Sequence, residues 1–566
     1  MDLTIRLAGE SGEGVILAGE VLTYAISRMG LKIFTFRSYP ASIRGGPCAY
    51  QIRASDWHAY SQGDRLDLLV AFDAESVSSH AGDLKPEGKL IFDQDRLDKD
   101  STLPKQSFGA RFASIARNEL RFPKARNMII VGFAAAHIGI PQEIIREVLS
   151  EKLGNRGEAV LQKNISAVKL GYGLVPKPST DVIEKGEPNK IILSGNEAIA
   201  LGAIVAGCRF YGGYPITPAS DILELLADLL PHVAGHIFQG EDEMASLGAA
   251  IGASFAGTKA MTATSGPGFS LMTEMIGMAS MAEIPVVIVD AQRAGPSTGL
   301  PTRTEQSDLN HALFGGHGDL PRIVIAPGDV QDCFYQTVRA FNLAERYQLP
   351  VILLTDQSLA QCTEGVPLPD VENIKVVNRE KADLEDGKFL RYSTTSDGLS
   401  PMSTPGEPGG EYVAESAEHD AKGRVNLTSK MHAEMTTKRF AKLAKAESEL
   451  VDDPLNFLEV EDNGSKLAVM GWGSTEGALH EAVLTARKKG LHVKWLHCKL
   501  LSPLPRKKIS SFLEGVEIVI VPELNYTAQF ANLLRMNFTV KPVSITKTEG
   551  MPFAPHEILA KIEESA

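Results

Sequence analysis

Short apolar runs alternate with segments of helical periodicity in three stretches of the chain. In the first stretch, Leu3–Leu7 runs into a glycine-rich turn, and the residues that follow place apolar side chains on one helical face. A strand, a glycine-rich turn and a helix in this order begin a βαβ unit. Strands that alternate with helices predict a parallel, doubly wound sheet over residues 1–185. Further strands of this sheet are predicted at 31–36, 68–72, 89–92 and 128–132.

The same alternation returns twice later in the chain. Residues 190–365 contain the runs PVVIVD and PVILLTD, and residues 456–566 contain KLAVMGWG and IVIVPE. Such continuous apolar runs are typical of parallel strands that helices cover on both faces. Residues 366–455 break the pattern, because they are rich in proline, glycine and serine. We expect a connection there, or an ordered arm packed on a partner. The predicted fold class is α/β, with three doubly wound units.

Charge and cysteine content narrow the function classes. The 57 Lys and Arg residues against 70 Asp and Glu residues give a net charge of −13. Without a long basic run, this charge disfavours nucleic-acid binding. We see no signal-peptide pattern and no apolar stretch long enough to cross a membrane, so we expect a soluble, cytoplasmic protein. The 5 cysteines are widely spaced, which predicts free thiols and no metal site formed by this chain alone.

Two glycine-rich segments of the first unit leave their role open. Gly9–Gly14 allows a tight turn and the close approach of an anion to a helix N-terminus. Its glutamates disfavour a bound diphosphate, so a structural turn competes with a coenzyme-phosphate site. Arg44, followed by Gly45 and Gly46, could clamp an anion between a guanidinium and backbone amides. A charged loop at an interface fits these residues equally well.

The string YPITP at 214–218 predicts a rigid turn after a strand. Its two prolines fix φ and disfavour a helical conformation in the residues before them. Thr217 would then present its hydroxyl group at the end of a strand, where open α/β sheets bind ligands. A helix N-cap formed by Ser220 or Asp221 fits the same string.

Glu243 precedes a run of small and apolar residues, which predicts a buried carboxyl group. Such a group needs a partner and tends to keep its proton. Helix capping explains part of the acidic string Glu241–Glu243, so a functional and a structural interpretation both stay open. Ser265 and Gly266 lie in a strand-to-helix turn whose backbone amides could contact a ligand.

The loop after PVVIVD contains Arg293 and Arg303 together with several hydroxyl groups. It begins at the carboxyl end of a buried strand, and an arginine matches a carboxylate with two parallel hydrogen bonds. The loop therefore predicts a site for an anionic substrate, with solvated loop arginines as the alternative.

Taken together, these strings resemble the α subunit of 2-oxoacid:ferredoxin oxidoreductases over nearly the whole chain. Residues 1–185, with YPASIRGG, resemble the γ-type domain of that family. Residues 190–365 resemble its pyrimidine-binding thiamine diphosphate domain, through YPITPAS, EDEMASLGAAIGAS, TSGPGFSLM and QRAGPSTGLPTRTEQSDL. Residues 456–566, with GWGSTEGA, resemble a transketolase C-terminal domain. A γ-type domain fused ahead of the α domain is most similar to the 2-oxoglutarate members.

The resemblance implies roles for individual residues. Glu243 would hydrogen-bond the aminopyrimidine ring of thiamine diphosphate, and Thr217 would contact both substrate and cofactor. The substrate carboxylate would bind to Arg293 or, as second choice, to Arg303. The remaining implied contacts are to the cofactor for Tyr214, Pro215, Ile216, Ser265 and Gly266, and to coenzyme A or a subunit interface for Arg44, Gly45 and Gly46.

The resemblance also implies partners. The chain lacks the GDG…Asn pattern that holds magnesium and diphosphate in thiamine enzymes, and it lacks a cluster motif. We therefore expect Mg²⁺ and a [4Fe–4S] cluster on a β subunit, an (αβ)₂ assembly, and ferredoxin as the electron carrier. The implied reaction interconverts 2-oxoglutarate plus coenzyme A with succinyl-coenzyme A plus CO₂, in either direction. Pyruvate, indolepyruvate or a branched 2-oxoacid is the alternative substrate, and a non-catalytic scaffold is the alternative of another class.

Overall fold

The computed structural model describes residues 1–40, 45–98, 102–176, 178–179, 191–384, 389–460, 462 and 464–566. Two compact units make up the chain. The first comprises Met1–Leu193 and Cys362–Leu368, and the second comprises Ser194–Gln361 and Pro369–Ala566.

The first unit begins with strands interspersed with helices and continues with consecutive helices. Its strands are β1 (Asp2–Glu10), β2 (Lys32–Ser38), β3 (Pro47–Ser55), β4 (Leu66–Ala71), β5 (Leu84–Asp93), β6 (Ser107–Ala110) and β7 (Ile191–Ser194). Its helices are α1 (Val15–Arg28), α2 (Ala74–His80), α3 (Phe112–Asn118), α4 (Arg126–Ile138), α5 (Gln142–Leu153) and α6 (Glu158–Gly173).

The sheet of the first unit is mixed, which corrects the expected all-parallel arrangement. Strand β1 pairs in parallel with β4, and β4 with β5, as a βαβ pattern predicts. Strand β3, however, runs antiparallel to both β1 and β2. A short connection between β2 and β3 permits a hairpin but not the crossover that a parallel pair needs.

The strand predicted at 128–132 is wrong, because these residues belong to helix α4. Met128, Ile129, Ile130 and Val131 are each at most 1% exposed. A helix buried on all sides reads as a continuous apolar run, and periodicity cannot separate it from a buried strand.

The second unit begins with a further set of alternating elements. Its strands are β8 (Phe210–Gly213), β9 (His236–Gln239), β10 (Ala260–Thr264), β11 (Val286–Gln292), β12 (Ile323–Ile325) and β13 (Pro350–Asp356). Its helices are α7 (Gly195–Val205), α8 (Ser220–Leu229), α9 (Glu243–Phe255), α10 (Gly266–Leu271), α11 (Thr273–Met281), α12 (Leu309–Phe314), α13 (Val330–Tyr347) and α14 (Gln357–Gln361).

Strand β14 (Thr363–Val366) follows in sequence but belongs to the sheet of the first unit. It lies between β2 and β7 and runs antiparallel to β2, with Glu364 opposite Phe34. The first sheet therefore has the order β6-β5-β4-β1-β3-β2-β14-β7. The domain limits predicted from the sequence stay predictions.

The rest of the second unit contains a long helix and a third sheet. The helices are α15 (Ser429–Glu449), α16 (Glu476–Lys488), α17 (Arg506–Leu513), α18 (Gln529–Asn537) and α19 (Pro555–Ser565). The strands are β15 (Phe457–Val460), β16 (Leu467–Trp472), β17 (Lys494–Cys498), β18 (Leu500–Ser502), β19 (Ile518–Glu523) and β20 (Val543–Thr546).

The second unit contains two sheets. One has the order β18-β12-β13-β11-β10-β8-β9, with all pairs parallel except β12 with β18. The other has the order β15-β17-β16-β19-β20. With the sheet of the first unit, the described residues form three sheets interleaved with helices. The predicted α/β class with three doubly wound units is confirmed.

The segment predicted as a connection or an arm is an ordered arm that packs on its own second unit. Lys438 and Lys442 of α15 form ion pairs with Glu283, and all three side chains are 0% exposed. Arg391, also buried, donates to the Glu283 carbonyl at 2.7 Å. Nearer the start of the arm, Arg379 pairs with Glu345 at 2.6 Å. Buried, paired charges of this kind tie the arm to the helices beneath it.

Two further properties concern the described residues as a whole. Their helices are either too short or too polar to cross a bilayer. All 5 cysteines are buried, and none of them forms a disulfide.

Candidate active site

Three strands of the second unit's first sheet end side by side. The sheet order places β8, β10 and β11 next to one another, and each pair is parallel. The residues that follow these strands are Tyr214–Thr217, Ser265–Gly266 and Arg293. Because the carboxyl ends of parallel strands meet at one edge, the structure brings together the side chains that the sequence singled out.

Thr217 lies in the turn between β8 and α8, where it is half-buried. Its carbonyl oxygen accepts a hydrogen bond of 2.8 Å from Arg293 Nη1. The N-cap of α8 is Ala219, without a side-chain hydrogen bond, so the capping role considered for Ser220 or Asp221 is wrong. The turn is therefore tied to Arg293 on the neighbouring loop.

Glu243 is the first residue of α9, and it is only 6% exposed. The capping role in this acidic string belongs to Asp242, whose side chain accepts from Ala245 N at 2.7 Å. Among the residues that the structure describes, no donor hydrogen-bonds the Glu243 carboxylate. Capping thus explains Asp242 and leaves Glu243 available for a ligand.

Space beside Glu243 depends on a glycine in α10. A methyl carbon added at Gly268 would lie 2.5 Å from Glu243 Oε1 and would also collide with Thr264 Oγ1. The Ser265 hydroxyl group nearby is buried and has no hydrogen-bond partner among the described residues. The turn between β10 and α10 therefore leaves both room and an unused polar atom at this edge.

Arg293 is the predicted arginine that lies at the site. It is 8% exposed, and its Nε atom has no hydrogen-bond partner in the described part of the chain. Burial lowers the pKa of its guanidinium, whereas Asp308 and Glu243 act to raise it. The guanidinium therefore keeps a hydrogen-bonding atom for an anion while two carboxyl groups lie within electrostatic range.

Arg303, the second choice from the sequence, points elsewhere. Its backbone carbonyl accepts from Ala294 N at 2.9 Å, which closes the loop. Its side chain lies against Gly550, and its Nη1 is 3.7 Å from Met551 Sδ. The side chains of Arg293 and Arg303 therefore point in different directions.

Two carboxyl groups at this edge were missed by the sequence analysis. Asp290 ends the run PVVIVD and is 0% exposed, and Asp308 precedes α12. An aspartate inside a buried apolar strand was the available signal for Asp290, since charged residues are rarely buried without a partner. Asp308 carried no local signal, because its position depends on the fold of the loop.

The glycine-rich segments of the first unit lie against each other. Ser11 N donates to Gly46 O at 3.0 Å, and Gly45 N donates to Ser11 O at 3.2 Å. Gly45 and Gly46 both have φ of +82°, which only glycine adopts easily. Arg44 lies outside the described residues.

The turn at Gly9–Gly14 is closed by ion pairs. Arg126 Nη1 lies 3.0 Å from Glu13 Oε1, and Arg126 Nε lies 2.9 Å from Asp93 Oδ2. These contacts favour the structural interpretation of the turn. Within the described ranges, no group of three or more His, Cys, Asp or Glu side chains could hold a metal ion.

Comparison with known protein families gives three matches along the chain. The model described as pyruvate ferredoxin/flavodoxin oxidoreductase matches residues 4–174. The thiamine diphosphate-binding model of pyruvate flavodoxin/ferredoxin oxidoreductase matches residues 201–438. The model of pyruvate:ferredoxin oxidoreductase core domain II matches residues 465–546.

Individual proteins match over their full length. 2-Oxoacid:ferredoxin oxidoreductase 2, subunit alpha, of Aeropyrum pernix is 32% identical, over 100% of this chain and 97% of the relative. 2-Oxoglutarate oxidoreductase subunit KorA of Mycobacterium tuberculosis is 33% identical, over 98% and 90%. The solved 2-oxoglutarate:ferredoxin oxidoreductase of Magnetococcus marinus, which holds 2-oxoglutarate, coenzyme A and succinyl-CoA, is 40% identical with a TM-score of 0.92, over 100% and 99%. The chain therefore belongs to the family of 2-oxoacid:ferredoxin oxidoreductase alpha subunits and is a component of an oxidoreductase.

Proposed function

We propose that this chain is the α subunit of a thiamine diphosphate-dependent 2-oxoglutarate:ferredoxin oxidoreductase. The reaction converts 2-oxoglutarate and coenzyme A into succinyl-coenzyme A and CO₂, and two electrons pass to ferredoxin. It can also run in reverse when ferredoxin supplies the electrons. One observation carries the proposal, namely that Glu243, Thr217 and Arg293 come together at the carboxyl edge of one sheet.

The residues at this edge fit the ring end of thiamine diphosphate. Glu243 offers a buried carboxylate without a donor among the described residues, and Gly268 leaves room beside it. Ser265 adds an unused hydroxyl group. The other residues that would hold the ring are Gly266 and the turn Tyr214–Thr217. When bound, thiamine diphosphate supplies a nucleophilic carbon that makes the loss of CO₂ from a 2-oxoacid possible.

Each protein side chain then has a definite task. The Glu243 carboxyl group would form a hydrogen bond with a ring nitrogen of the cofactor and hold a proton there. Because Glu243 is buried, this hydrogen bond is strengthened. Arg293 binds the carboxylate of the 2-oxoacid, because a guanidinium forms strong charge-assisted hydrogen bonds with it. The Thr217 hydroxyl group donates to the substrate and orients its keto group.

A partner subunit is required to complete the site. Large apolar side chains are exposed on the elements around it, at 39% for Tyr214, 41% for Phe238, 45% for Met244 and 50% for Leu271. Large exposed apolar side chains on neighbouring elements, here called the apolar rim, favour an interaction surface. We infer that a β subunit covers this rim and brings the diphosphate site, Mg²⁺ and a [4Fe–4S] cluster, in a cytoplasmic (αβ)₂ assembly. Arg44, Gly45 and Gly46 are proposed contacts to coenzyme A or to a neighbouring subunit.

The role of Glu243 can be tested in the complex formed with the β subunit. We expect Glu243→Gln to lower turnover of 2-oxoglutarate by about two to four powers of ten, the range of acid–base assistance. Glu241→Gln, two residues away and exposed, is the matched control and should keep normal turnover. Full activity of Glu243→Gln would instead indicate a non-catalytic scaffold.

The substrate can be tested with a panel of 2-oxoacids on the same complex. We expect the highest kcat/KM for 2-oxoglutarate, measured as reduction of ferredoxin. A higher value for pyruvate, indolepyruvate or a branched 2-oxoacid would keep the chemistry and overturn the substrate. The chain without a β subunit should show no turnover with any of them.

A further inference from the structure

Two carboxyl groups lie behind Arg293 and have no task in the chemistry described above. Asp290 is fully buried in β11, and neither of its carboxyl oxygens has a hydrogen-bond partner among the described residues. Asp308 Oδ2 is also a buried atom without such a partner. Buried carboxyl oxygens are almost always hydrogen-bonded, so an unpaired set needs an explanation.

The backbone brings these two groups to one place. Asp290 is directly opposite Thr264 in the pairing of β10 with β11. Two residues further along, a methyl carbon added at Gly266 would lie 2.7 Å from Asp308 Oδ2. On β11, Gln292 Oε1 accepts from Asp308 N at 3.0 Å, and side chains two positions apart on a strand lie on the same face. Asp308 is thereby held beside Asp290 from both sides.

The charges around the pair come from the loop and from β11. The ionisable groups that act on Asp308 are Asp290, Glu305 and Arg293, and α10, which packs against it through Gly266, has none in its sequence GPGFSL. Burial raises the pKa of Asp290 well above its usual range, and the neighbouring Asp308 raises it further. Burial and Glu305 raise the pKa of Asp308 to about 6, against the opposing effect of Arg293. Burial and their mutual repulsion therefore disfavour the state in which both carboxyl groups are ionised.

We propose that Asp308 is a positioning residue for Arg293 and that Asp290 is protonated. Asp290 and Asp308 together then carry a single negative charge. Asp308 acts on the guanidinium electrostatically without a direct ion pair, while the Thr217 carbonyl accepts from Nη1 at 2.8 Å. The orientation of Arg293 towards a 2-oxoacid is then set before the substrate binds. This inference rests on the proposed function, since it assumes that Arg293 binds the substrate carboxylate.

Whether Asp290 carries a proton can be tested on the purified chain, without measuring turnover. Infrared spectroscopy separates the carbonyl stretch of a protonated carboxyl group from that of a carboxylate. We expect the spectrum of the unsubstituted chain at pH 7 to contain a protonated-carboxyl band that Asp290→Asn lacks. Asp228→Asn, at an exposed position of α8, is the matched control and should not remove that band. A band unchanged by Asp290→Asn would overturn the proposal and would indicate that Asp290 is ionised, as beside a bound cation.

The positioning role can be tested in the complex with the β subunit. We expect Asp308→Asn to raise the KM for the 2-oxoacid at least tenfold, with a smaller change in kcat. In the unsubstituted enzyme, KM should rise as the pH falls through about 6, because Asp308 then becomes protonated. This pH dependence should be absent in Asp308→Asn and partly restored in Asp308→Glu. An unchanged KM and an unchanged pH profile in Asp308→Asn would overturn the positioning role.

A further variant separates the two proposals. If Arg293→Gln raises KM and Asp308→Asn does not, the further inference fails and the proposed function stands. If Arg293→Gln leaves KM unchanged, the assignment of the substrate carboxylate to Arg293 fails, and with it the positioning role of Asp308. In either case, the infrared result shows whether Asp290 carries a proton.

Discussion

Two glycine-rich turns of this chain have the same local construction and opposite surroundings. Each connects a strand to a helix, at Gly9–Gly14 between β1 and α1, and at Ser265–Gly268 between β10 and α10. In the first turn, Arg126 joins the carboxylates of Glu13 and Asp93. Around the second turn, Ser265, Asp290 and Asp308 each keep buried oxygens without a partner among the described residues.

The difference teaches how to distinguish a structural turn from a binding turn. Glycine supplies the backbone conformation in both cases, so it does not discriminate between them. The discriminating feature is whether the polar groups around the turn satisfy one another. At the first turn both carboxylates are ion-paired with Arg126, whereas at the second Asp290 has neither an ion pair nor a hydrogen bond among the described residues and stays available for a ligand or a proton.

The largest effect is expected from removing the ion pairs of Arg126 at the turn Gly9–Gly14. Arg126→Met removes the cation and leaves the buried Asp93 and the partly buried Glu13 without their ion-pair partner. Breaking a buried ion pair in this way costs about 3–5 kcal/mol. We expect lower thermal stability and faster hydrogen exchange in α1 and α4.

Glu10→Gln is the control for this substitution, because Glu10 is exposed at the same turn. It should change stability by less than about 0.5 kcal/mol. Equal stability of Arg126→Met and the unsubstituted chain would remove the basis for calling this turn closed.

A smaller effect is expected from filling the space beside Glu243 at the turn Ser265–Gly268. Gly268→Ala places a methyl group 2.5 Å from Glu243 Oε1, which forces the carboxylate to move. A displacement of about 1 Å at a reacting group can lower turnover about a hundredfold. Turnover of the complex with the β subunit is the measurement.

The control for Gly268→Ala is Gly252→Ala in helix α9. A methyl carbon at Gly252 would meet no atom within 4 Å, and alanine favours a helix over glycine by about 1 kcal/mol. Gly252→Ala should therefore keep full turnover. If Gly268→Ala did the same, Glu243 would not depend on this space.

The smallest effect is expected from Asp308→Asn, which should raise the free energy of unfolding, whereas Arg126→Met should lower it. The folded chain raises the pKa of Asp308 from 3.8 to about 6, so the native state binds this proton more tightly than the unfolded state. The favourable contribution is complete below pH 3.8 and is lost as the pH rises through about 6. Above that pH, Asp308→Asn should stabilise the chain by on the order of 1–2 kcal/mol.

Thermal unfolding at pH 5 and at pH 8 checks this sign. The stabilisation by Asp308→Asn should be larger at pH 8, although we expect the same substitution to raise the KM for the 2-oxoacid. If Asp308→Asn destabilised the chain at pH 8, the Asp308 carboxylate would be stabilised by its neighbours, as Glu13 is by Arg126. The two turns would then no longer differ in this respect.

The sequence was sufficient for elements whose apolar pattern is local. The strands β10, β11 and β13 and the glycine turn after β1 follow directly from it. It failed for α4, where burial on every side removes the helical period. It also missed β3, whose interior positions include the buried polar residues Gln51 and Arg53. Those side chains are paired with residues on β1, so only the folded sheet makes them suitable for a strand.

For the candidate site, the sequence alone singled out the side chains and indicated that they follow the ends of strands. Glu243, Thr217 and Arg293 were singled out by their positions next to apolar runs, and the resemblance to the family then implied their roles. Only the tertiary structure decided that Arg293 rather than Arg303 points into the site, and that Asp290 and Asp308 lie behind it. The physical reason is that hydrogen bonding and charge pairing depend on distances between groups far apart in the chain, which packing sets and local patterns do not encode.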